Sequence, residues 1–413
     1  MPGQPTRIIH SARLVSGGSI TADAWVAFAG TTVAAVGAGD GWRELLPHPG
    51  RALADNGAGD GLDAPGAGCA VTDAAGRWLT PGFIDLHCHG GGGAAFDAGA
   101  GDGGAAAIGR ALATHHRHGT TRLVLSLVTA ARPDLEARLA AVADAAEADP
   151  LILGAHLEGP FLAAAFRGAH DPSLLRAPDP EDVAALLAAG RGTLRQWTLA
   201  PELPGAMAAL RALVDAGVAV AVGHTAAGYD AALAAFDAGA SILTHAFNAM
   251  PGLHHREPGP VAAAFRSPGV TLEVINDGVH VHPEMVRLAF TGAPGRVALV
   301  SDAMAAAGAA DGSYRLGTLP VTVRGGVARL AGTGDAEGPI AGSTLTLDEA
   351  LRRAVRDAGI PLTEAVKALT GTPARAIGRG TDLGLLAPGY QADAVLLDED
   401  LAVTAVFAAG RPI

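Results

Sequence analysis

The spacing of apolar residues changes near residue 80 of the chain. Before that point, short runs alternate apolar and polar positions, as in a half-buried antiparallel sheet. These runs are "RIIHSARLVSG" (7–17), "AWVAFAG" (24–30) and "TVAAVGAG" (32–39). After that point, β-branched or apolar runs alternate with stretches of Ala and Leu that have helical composition. The first pattern predicts a small β-meander, and the second predicts an α/β domain.

Eight of the apolar runs after residue 80 have the length of buried strands. They are "GFIDLHCH" (82–89), "TRLVLSLVT" (121–129), "LILGAHLEG" (151–159), "LRQWTLAPE" (194–202), "VAVAVGHT" (218–225), "SILTHAFN" (241–248), "TLEVINDG" (271–278) and "VALVSDAM" (297–304). Helical segments lie between several of them, with Pro, Asp or Gly at their ends. Eight strand-then-helix units predict a (β/α)8 barrel of the TIM type.

The pattern after the eighth run returns to short strands. "YRLGTLPVTVRGGVARLAG" predicts a hairpin turning at Gly-Gly, and residues 345–359 and 361–378 predict two helices. The last thirty or so residues most economically complete the N-terminal meander. We therefore expect a small β-sandwich domain from both termini, residues 1–79 and 384–413, and a catalytic barrel over 80–383. Within the β-sandwich domain, residues 38–70 lack periodicity and predict an irregular insertion rich in Gly, Ala and Asp.

Charge and cysteine content narrow the class of protein. The net charge of −12 over 413 residues argues against a nucleic-acid or anionic-membrane partner, which needs clustered Lys and Arg. The first residues lack the pattern of a signal peptide, and no apolar run is long enough to span a membrane. The two cysteines, Cys69 and Cys88, form neither a disulfide framework nor a CxxC pair. These features predict a soluble cytoplasmic protein.

Polar residues follow the apolar runs where an active site belongs, because a parallel barrel binds its substrate at the carboxyl ends of its strands. The candidates are His87, His89, Glu158, His224, His245 and Asp302. Side chains alternate along a strand, so His87 and His89 should share one face while Cys88 points away. Imidazole and carboxylate donors together suit one or two Zn²⁺-like ions, with a position left open for water.

Simpler interpretations of single motifs stay open. An HxH pair can be two hydrogen-bonded residues at a strand end, and His280 and His282 form a second such pair. Asp302 suits a ligand or a proton carrier, but it can also cap a helix. Arg256 suits a bidentate anion clamp or a solvated loop residue. The glycine run at 90–93 lacks the spacing of a phosphate-binding loop and predicts a sharp bend.

Several longer motifs resemble one family. They are "PGFIDLHCHG", "HLEGPFL" followed by "GAHDP", "VGHT", "THAFNAM", "HHREPG", "INDGVHV", "VSDAM", "TGTPARAIG" and "LGLLAPGYQADAVLLD". In this order, from about residue 80 to 398, they resemble the N-acetylglucosamine-6-phosphate deacetylases of the amidohydrolase superfamily. The HxH and the last motif occur in many amidohydrolases, whereas "HLEGPF", "THAFNAM" with "HREPG", and "DGVHV" are more specific.

The resemblance implies a set of metal ligands. Glu158, His224 and His245 would bind the principal metal, and the retained pair His87 and His89 leaves a second metal open. The ion would be divalent and of the Zn²⁺ type, with Fe²⁺, Mn²⁺ and Co²⁺ as alternatives.

The resemblance also implies catalytic and substrate-binding roles. Asp302 would act as general base and then as general acid, and His280 would polarise the acetamide carbonyl. His170 would contact the sugar. The 6-phosphate would be held by Asn248, the backbone of Ala249, and Arg256 from the second subunit of a homodimer.

Three functions are consistent with the sequence. The first is hydrolysis of N-acetylglucosamine 6-phosphate to glucosamine 6-phosphate and acetate in amino-sugar catabolism or recycling. The second is hydrolysis of a cyclic amide, or deamination of a small heterocycle, on the same metal ligands but without need of Arg256. The third is a non-catalytic scaffold, against which the complete set of strand-end ligands argues.

Overall fold

A computed structural model describes residues 5–46, 68–97, 102–331 and 338–413. The strands are β1 Arg7–Ser16, β2 Ser19–Ala29, β3 Thr32–Ala38, β4 Ala70–Asp73, β5 Trp78–Pro81, β6 Phe83–Cys88, β7 Gly90–Gly91, β8 Ala94–Ala95, β9 Thr120–Val128, β10 Ile152–Glu158, β11 Leu194–Leu199, β12 Ala219–Val222, β13 Ile242–Leu243, β14 Thr271–Ile275, β15 Val297–Val300, β16 Gly312–Leu316, β17 Leu319–Arg324, β18 Val327–Leu330, β19 Ala394–Leu397, β20 Val403–Ala408 and β21 Arg411–Pro412. The α-helices are α1 Asp102–Arg117, α2 Arg132–Ala148, α3 Pro180–Ala189, α4 Ala206–Asp215, α5 Tyr229–Asp237, α6 Gly259–Arg266, α7 Pro283–Gly292, α8 Leu347–Arg356, α9 Leu362–Leu369 and α10 Gly371–Ala376.

The predicted barrel is confirmed. Its eight strands pair side by side in the order β6, β9, β10, β11, β12, β13, β14, β15, and the pairings from β9 to β15 are all parallel. The first and last strands meet near their carboxyl ends, where the backbone N–H of Asp302 donates to His87 O at 2.8 Å. Each of the eight predicted runs coincides with one of these strands, although β9 begins one residue before its run. The long apolar runs follow from burial on both faces, as in β9, whose nine residues are all buried.

Helices cover the outer face of this barrel. Helix α2 packs on β10, α4 on β12, α6 on β13 and α8 on β15. Their boundaries follow local chemistry: Asp179 accepts a hydrogen bond from the Glu181 N–H at 2.8 Å, and Pro180 occupies the first turn of α3. Among the described residues, no helix is long and apolar enough to cross a membrane.

A separate sheet unites the two ends of the chain, as predicted. Its order is β21, β20, β19, β5, β1, β2, β3, with β4 also paired to β1. Residues from distant positions in this order, Val33 of β3 and Phe407 of β20, share one buried cluster. The sheet therefore curls around its own core. Between β3 and β4, Gly39–Leu45 form a short 3-10 helix, and residues 47–67 of the predicted insertion lie outside the described residues.

The chain divides into two compact units. One comprises Met1–Ile84, His116–Thr121 and Pro361–Ile413, and the other comprises Asp85–His115 and Arg122–Ile360. The boundary of the catalytic domain at residue 383 stays a prediction. The helix predicted over 361–378 is two helices, because the backbone at Thr370 leaves the helical region (φ −132, ψ −85) and its hydroxyl donates to Val366 O at 2.8 Å.

A third sheet, β16–β17–β18, follows the barrel strands in the second unit. It is antiparallel, and Gly325 and Gly326 make the turn between β17 and β18 with positive φ, so the predicted Gly-Gly hairpin is present.

Candidate active site

A cavity of about 330 Å³ lies where the barrel strands end. Its polar lining consists of His89, Glu158, His170, His224, His245, Asn248, His280 and Asp302. Phe166, Ile275, Leu316 and Ile340 contribute apolar surface. Most of the residues predicted from strand ends are therefore brought together around one cavity, whose volume suits a small molecule.

The backbone at this cavity is unusually strained for residues that have a Cβ. His224, His245, Ala249 and Asp302 have φ values of 46°, 28°, 51° and 47°. Non-glycine residues seldom adopt this left-handed region, and such residues concentrate at functional sites. The three ionisable ones are each the second residue after a short strand, β12, β13 or β15. The turn ends each strand early and directs its polar side chain to the cavity.

Glu158 is the centre of the first group of donor atoms. Its Oε1 lies 3.1 Å from His224 Nε2 and 3.1 Å from His245 Nε2. The two imidazole nitrogens lie 3.0 Å apart. The His224 Nδ1–H donates to Phe166 O at 2.9 Å, so the uncharged ring has a lone pair on Nε2. The lone pair of His224 thus faces His245 Nε2 and a carboxylate oxygen.

A second group shares the same glutamate. His87 Nε2 and His89 Nε2 lie 3.1 Å apart, and they lie 3.5 Å and 3.3 Å from Asp302 Oδ1. Glu158 offers Oε1 to His87 at 3.4 Å and Oε2 to His89 at 3.2 Å. Glu158 is therefore positioned to bridge the two groups.

Both groups fit a divalent cation. Ligands about 2.0–2.1 Å from a tetrahedral Zn²⁺ lie roughly 3.3 Å from one another. The separations in the two groups run from 3.0 to 3.5 Å. A cation held between His224 Nε2 and His245 Nε2, which lie 3.0 Å apart, would accept a lone pair from each ring. Among the described residues, the Nδ1 atoms of His89 and His245 are buried and have no hydrogen-bond partner.

The electrostatics of the cluster also favour positive charge. Burial raises the pKa of Glu158, but the charge of His87 and the hydrogen bond of His170 outweigh it and hold that pKa well below its usual value. Burial likewise opposes ionisation of Asp302, yet the charge of His87 and the hydrogen bond of His89 hold its pKa at about 2. The pKa of His89 is raised to about 9, against the effect of burial, by its hydrogen bonds to Asp302 and Glu158. Two ionised carboxylates thus attract cations into a buried space.

His280 is held by a carboxylate of its own turn. Its Nδ1–H donates to Asp277 Oδ2 at 2.7 Å, and Asp277 Oδ1 accepts the backbone N–H groups of Val279 and His280 at 2.8 Å. Burial alone would lower the pKa of His280, but the hydrogen bond and charge of Asp277 raise it. His282 of the second HxH pair lies elsewhere: its Nδ1 accepts the Glu284 N–H and caps α7.

The residues predicted to bind substrate divide into two sets. Asn248 and Ala249 line the cavity, as does His170, which contacts Glu158 Oε2 at 3.3 Å and Thr129 Oγ1 at 2.9 Å. Burial lowers the pKa of His170 to about 4, so it is neutral at pH 7. Arg256 does not line the cavity: it is exposed and contacts the neighbouring ring of His255.

Cys88 points away from the cluster, as the strand alternation predicts. Its Sγ contacts Gly90 O at 3.6 Å and His115 Nε2 at 3.2 Å. His115 is fully buried, although its place in "HHRHG" gives no sequence signal of burial. The glycines after His89 form a two-residue hairpin, with Gly92 and Gly93 in the turn at φ +60° and +79°. A residue with a Cβ would be strained there.

The sequence did not reveal a layer of buried polar residues beneath the cluster. Glu273 and Gln196 are both fully buried, and the Gln196 amide donates to Glu273 Oε1 at 2.7 Å. His156 lies between Ser126 Oγ and Thr198 Oγ1, at 2.9 and 2.8 Å. The available signal was a charged or amide residue inside an apolar strand, such as the glutamate of "TLEVI".

A barrel with buried histidines and carboxylates at the carboxyl ends of its strands defines a hydrolase of the metal-dependent barrel class. The sequence profile of the Amidohydrolase family matches residues 78–413. The chain belongs to the amidohydrolase family.

Within that family, relatives of this chain include deacetylases of phosphorylated amino sugars. The N-acetylgalactosamine-6-phosphate deacetylase of Escherichia coli O157:H7 is 39% identical, over 83% of this chain and 89% of that protein. The N-acetylglucosamine-6-phosphate deacetylase of Vibrio furnissii is 36% identical, over 81% and 82%. The structure of a Mycobacterium smegmatis N-acetyl-D-glucosamine-6-phosphate deacetylase variant in complex with N-acetyl-D-glucosamine-6-phosphate is 43% identical, covers 98% of each chain and has a TM-score of 0.85.

Proposed function

We propose that the protein hydrolyses the acetamide of N-acetylglucosamine 6-phosphate to give glucosamine 6-phosphate and acetate. The observation that carries the proposal is the cluster of His87, His89, Glu158, His224, His245 and Asp302, all of which except the fully buried His87 line one cavity. The similarity to deacetylases of phosphorylated amino sugars supports the substrate class. The comparisons do not support the cyclic-amide or deaminase alternative.

Two sets of residues would hold divalent metal. Glu158, His224 and His245 form one, and His87 and His89 with Glu158 form the other. Nitrogen and carboxylate donors suit Zn²⁺, while Fe²⁺, Mn²⁺ and Co²⁺ accept the same donors. When bound, such an ion supplies Lewis acidity, which lowers the pKa of a water molecule and polarises a carbonyl oxygen.

Asp302 would move the proton. Its carboxylate is ionised at neutral pH and lines the cavity, so its Oδ1 can accept a proton from the attacking water. The water oxygen bonds to the acetyl carbon, and the C–N bond then breaks. The amine nitrogen needs a proton to leave, and Asp302 would return the one it took. The other proton of the water leaves the acetic acid and is taken up by the amine, so the products at neutral pH are acetate and the ammonium form of the sugar.

His280 would stabilise the negative charge that develops on the acetamide oxygen. Because its Nδ1–H is committed to Asp277, a neutral His280 has a bare Nε2 that cannot donate. Donation to the oxygen therefore requires the imidazolium form, which Asp277 favours. A charged donor in a buried cavity is the stronger arrangement for an oxyanion.

The 6-phosphate would be bound partly by a second subunit. Asn248 and the Ala249 backbone line the cavity, and His170 would contact the sugar ring. Arg256 is exposed near Leu253, which is 40% exposed. An exposed leucine beside an unburied arginine suits a contact between subunits, so we propose a homodimer in which Arg256 of one subunit completes the phosphate site of the other. A cytoplasmic location is proposed from the two free cysteines.

The test is acetate release combined with metal analysis. Purified protein should release acetate from N-acetylglucosamine 6-phosphate, and D302N should lose turnover while it keeps its metal. The unphosphorylated sugar should react with much lower kcat/KM, and R256A should remove most of that difference. Equal kcat/KM for the two sugars would refute the phosphate site, and unchanged kcat in D302N would refute the proton-transfer role.

The same assay settles the sugar configuration. The relatives include an N-acetylgalactosamine-6-phosphate deacetylase and an N-acetylglucosamine-6-phosphate deacetylase, which are named for the galacto and the gluco sugar. We propose the gluco epimer, and a higher kcat/KM on N-acetylgalactosamine 6-phosphate would overturn that choice while leaving the deacetylase reaction intact.

A further inference from the structure

We propose that Glu273, supported by Gln196, is a positioning residue that fixes His87 as a metal ligand through Nε2. This inference rests on the proposed metal-dependent function, to which it adds a residue outside the donor groups. Glu273 lies inside the barrel on β14, is 0% exposed and does not line the cavity. The proposed reaction therefore leaves this buried acid without a role.

The hydrogen bonds of Glu273 determine which nitrogen of His87 carries a proton. Glu273 Oε2 lies 3.2 Å from His87 Nδ1. The other oxygen, Oε1, accepts the Gln196 amide at 2.7 Å. A carboxylate accepts hydrogen bonds, so His87 Nδ1 carries a hydrogen, and the neutral ring that binds a metal would have its lone pair on Nε2. That nitrogen faces His89 Nε2 and the carboxylate oxygens of Glu158 and Asp302.

The surroundings of His87 allow no other arrangement of the ring. His87 is 0% exposed, and the edge-to-face ring of His156 lies 4.6 Å away, between centroids, at 81°. His156 is held on both sides by hydroxyl groups of Ser126 and Thr198. A flip of the His87 ring would place a carbon against Glu273 and leave a buried carboxylate oxygen without its donor, which is costly.

Glu273 would act mainly on the group that contains His87 and His89. It contacts the other group only through the backbone N–H of His245, at 3.4 Å. The His224 ring is oriented independently, by the carbonyl of Phe166. Carboxylates that orient a ligating histidine commonly change metal affinity by roughly 10- to 100-fold when removed. The loss in a Glu273 variant should therefore be confined to one of two metal-binding events.

The test is calorimetric titration of metal-free protein with Zn²⁺. Wild type should show two binding events, of which H87N abolishes one and so identifies it. E273Q should weaken that same event by roughly 10- to 100-fold. The glutamine amide would either accept the hydrogen bond from His87 Nδ1 through an uncharged oxygen, or donate to Nδ1 and so move the ring hydrogen to Nε2. The second event should change by less than about twofold. Q196M, which removes the amide that holds Oε1, should act in the same direction.

The matched control is E202Q. Glu202 is another carboxylate at a strand end of the barrel, but it accepts hydrogen bonds from Thr225 Oγ1 and the Ala226 N–H and does not line the cavity. Both events should persist unchanged in E202Q. The proposal would be overturned if the His87-dependent binding event were unchanged in both E273Q and Q196M. Equal weakening of the two binding events would also overturn it, because that is the result expected of a purely structural role. A single event in wild type also overturns it.

Failure of the proposed function is distinguishable, because the titration uses no substrate. Two events with the expected response to E273Q, but no acetate release, would reject the substrate and retain the positioning role.

Discussion

The Asp277–His280 pair allows the role of His280 to be tested by one substitution. D277N keeps the size of the side chain, and its amide oxygen can still accept the backbone N–H groups of Val279 and His280. It removes the negative charge that faces His280 Nδ1 at 2.7 Å. The pair is buried, with side chains only 9% and 13% exposed, so solvent screens this change weakly.

The magnitude follows from the type of hydrogen bond that is lost. A bond to a charged group contributes about 1.5–3 kcal/mol, and a neutral bond about 0.5–1.5 kcal/mol. The difference of roughly 1–1.5 kcal/mol corresponds to about a tenfold lower kcat/KM. The loss should not be much larger. An Asn amide can donate to Nδ1 and leave a neutral His280 with Nε2–H, which is a weaker donor to the same oxygen.

The pH dependence has a definite sign. Asp277 raises the pKa of His280, so the imidazolium persists to higher pH than in a free histidine. In wild type, kcat/KM should fall on the alkaline side as His280 loses its proton, and in D277N this fall should begin at lower pH. The contribution of the Asp277–His280 pair to the free energy of unfolding is complete below pH 6.5, the usual pKa of histidine. It is lost as pH rises through the raised pKa of His280. For Asp277, whose pKa is lowered, stability is lost as pH falls below 3.8.

The assay is acetate release across pH 5 to 10 for wild type, D277N, H280N and the double variant. Because Asp277 is inferred to act through His280, D277N should have little further effect in the H280N background. Equal pH profiles and kcat/KM values within about twofold for wild type and D277N would refute the reasoning. Equal losses from D277N with and without His280 would show that Asp277 acts by another route.

Three further predictions concern the fold around the site. G168A should lower the free energy of unfolding by about 1–2 kcal/mol, because Gly168 has a φ of +55°. It should also lower metal affinity, because the added Cβ would lie 3.1 Å from His224 Cε1; an unchanged Tm and zinc content would contradict this. Cys88 should resist alkylation in native protein at pH 8, since burial raises its pKa well above 9.0, and peptide mapping that finds rapid labelling would disprove it. W197F should cost about 1–3 kcal/mol in urea unfolding, because it leaves the buried Gly159 carbonyl without the indole donor at 2.8 Å; a loss below about 0.5 kcal/mol would count against it.

The barrel and its strand-end donors were predictable because both depend on periodicity. Eight apolar runs set the strands, and the polar residue that ends each run must lie at one rim of a parallel barrel. This reasoning predicts that His224 and His245 lie at the rim of the barrel. The sequence did not indicate how short their strands are: β13 contains only Ile242–Leu243, and the positive φ at His245 turns the chain out of the extended conformation soon after it.

Other parts of the site depend on contacts that periodicity does not encode. Leu316 and Ile340 line the cavity from segments that follow the barrel strands, and no local pattern assigns them there. Glu273 lies in β14, whose five residues are all buried, so alternation along the strand could not show which side chains point inward. Arg256 is a different case, because the role predicted for it lies at the phosphate site of a second subunit.

The shared use of Glu158 links the two donor groups into one unit. Oε1 contacts His224 and His245, while Oε2 contacts His89 and His170. A cation in either group would therefore use an oxygen of the same carboxylate. Loss of Glu158 should consequently weaken metal binding at both groups, whereas loss of His87 removes a donor from only one. The orientation of His87 by Glu273 then tunes metal binding at the second group without removing a donor that the first group uses.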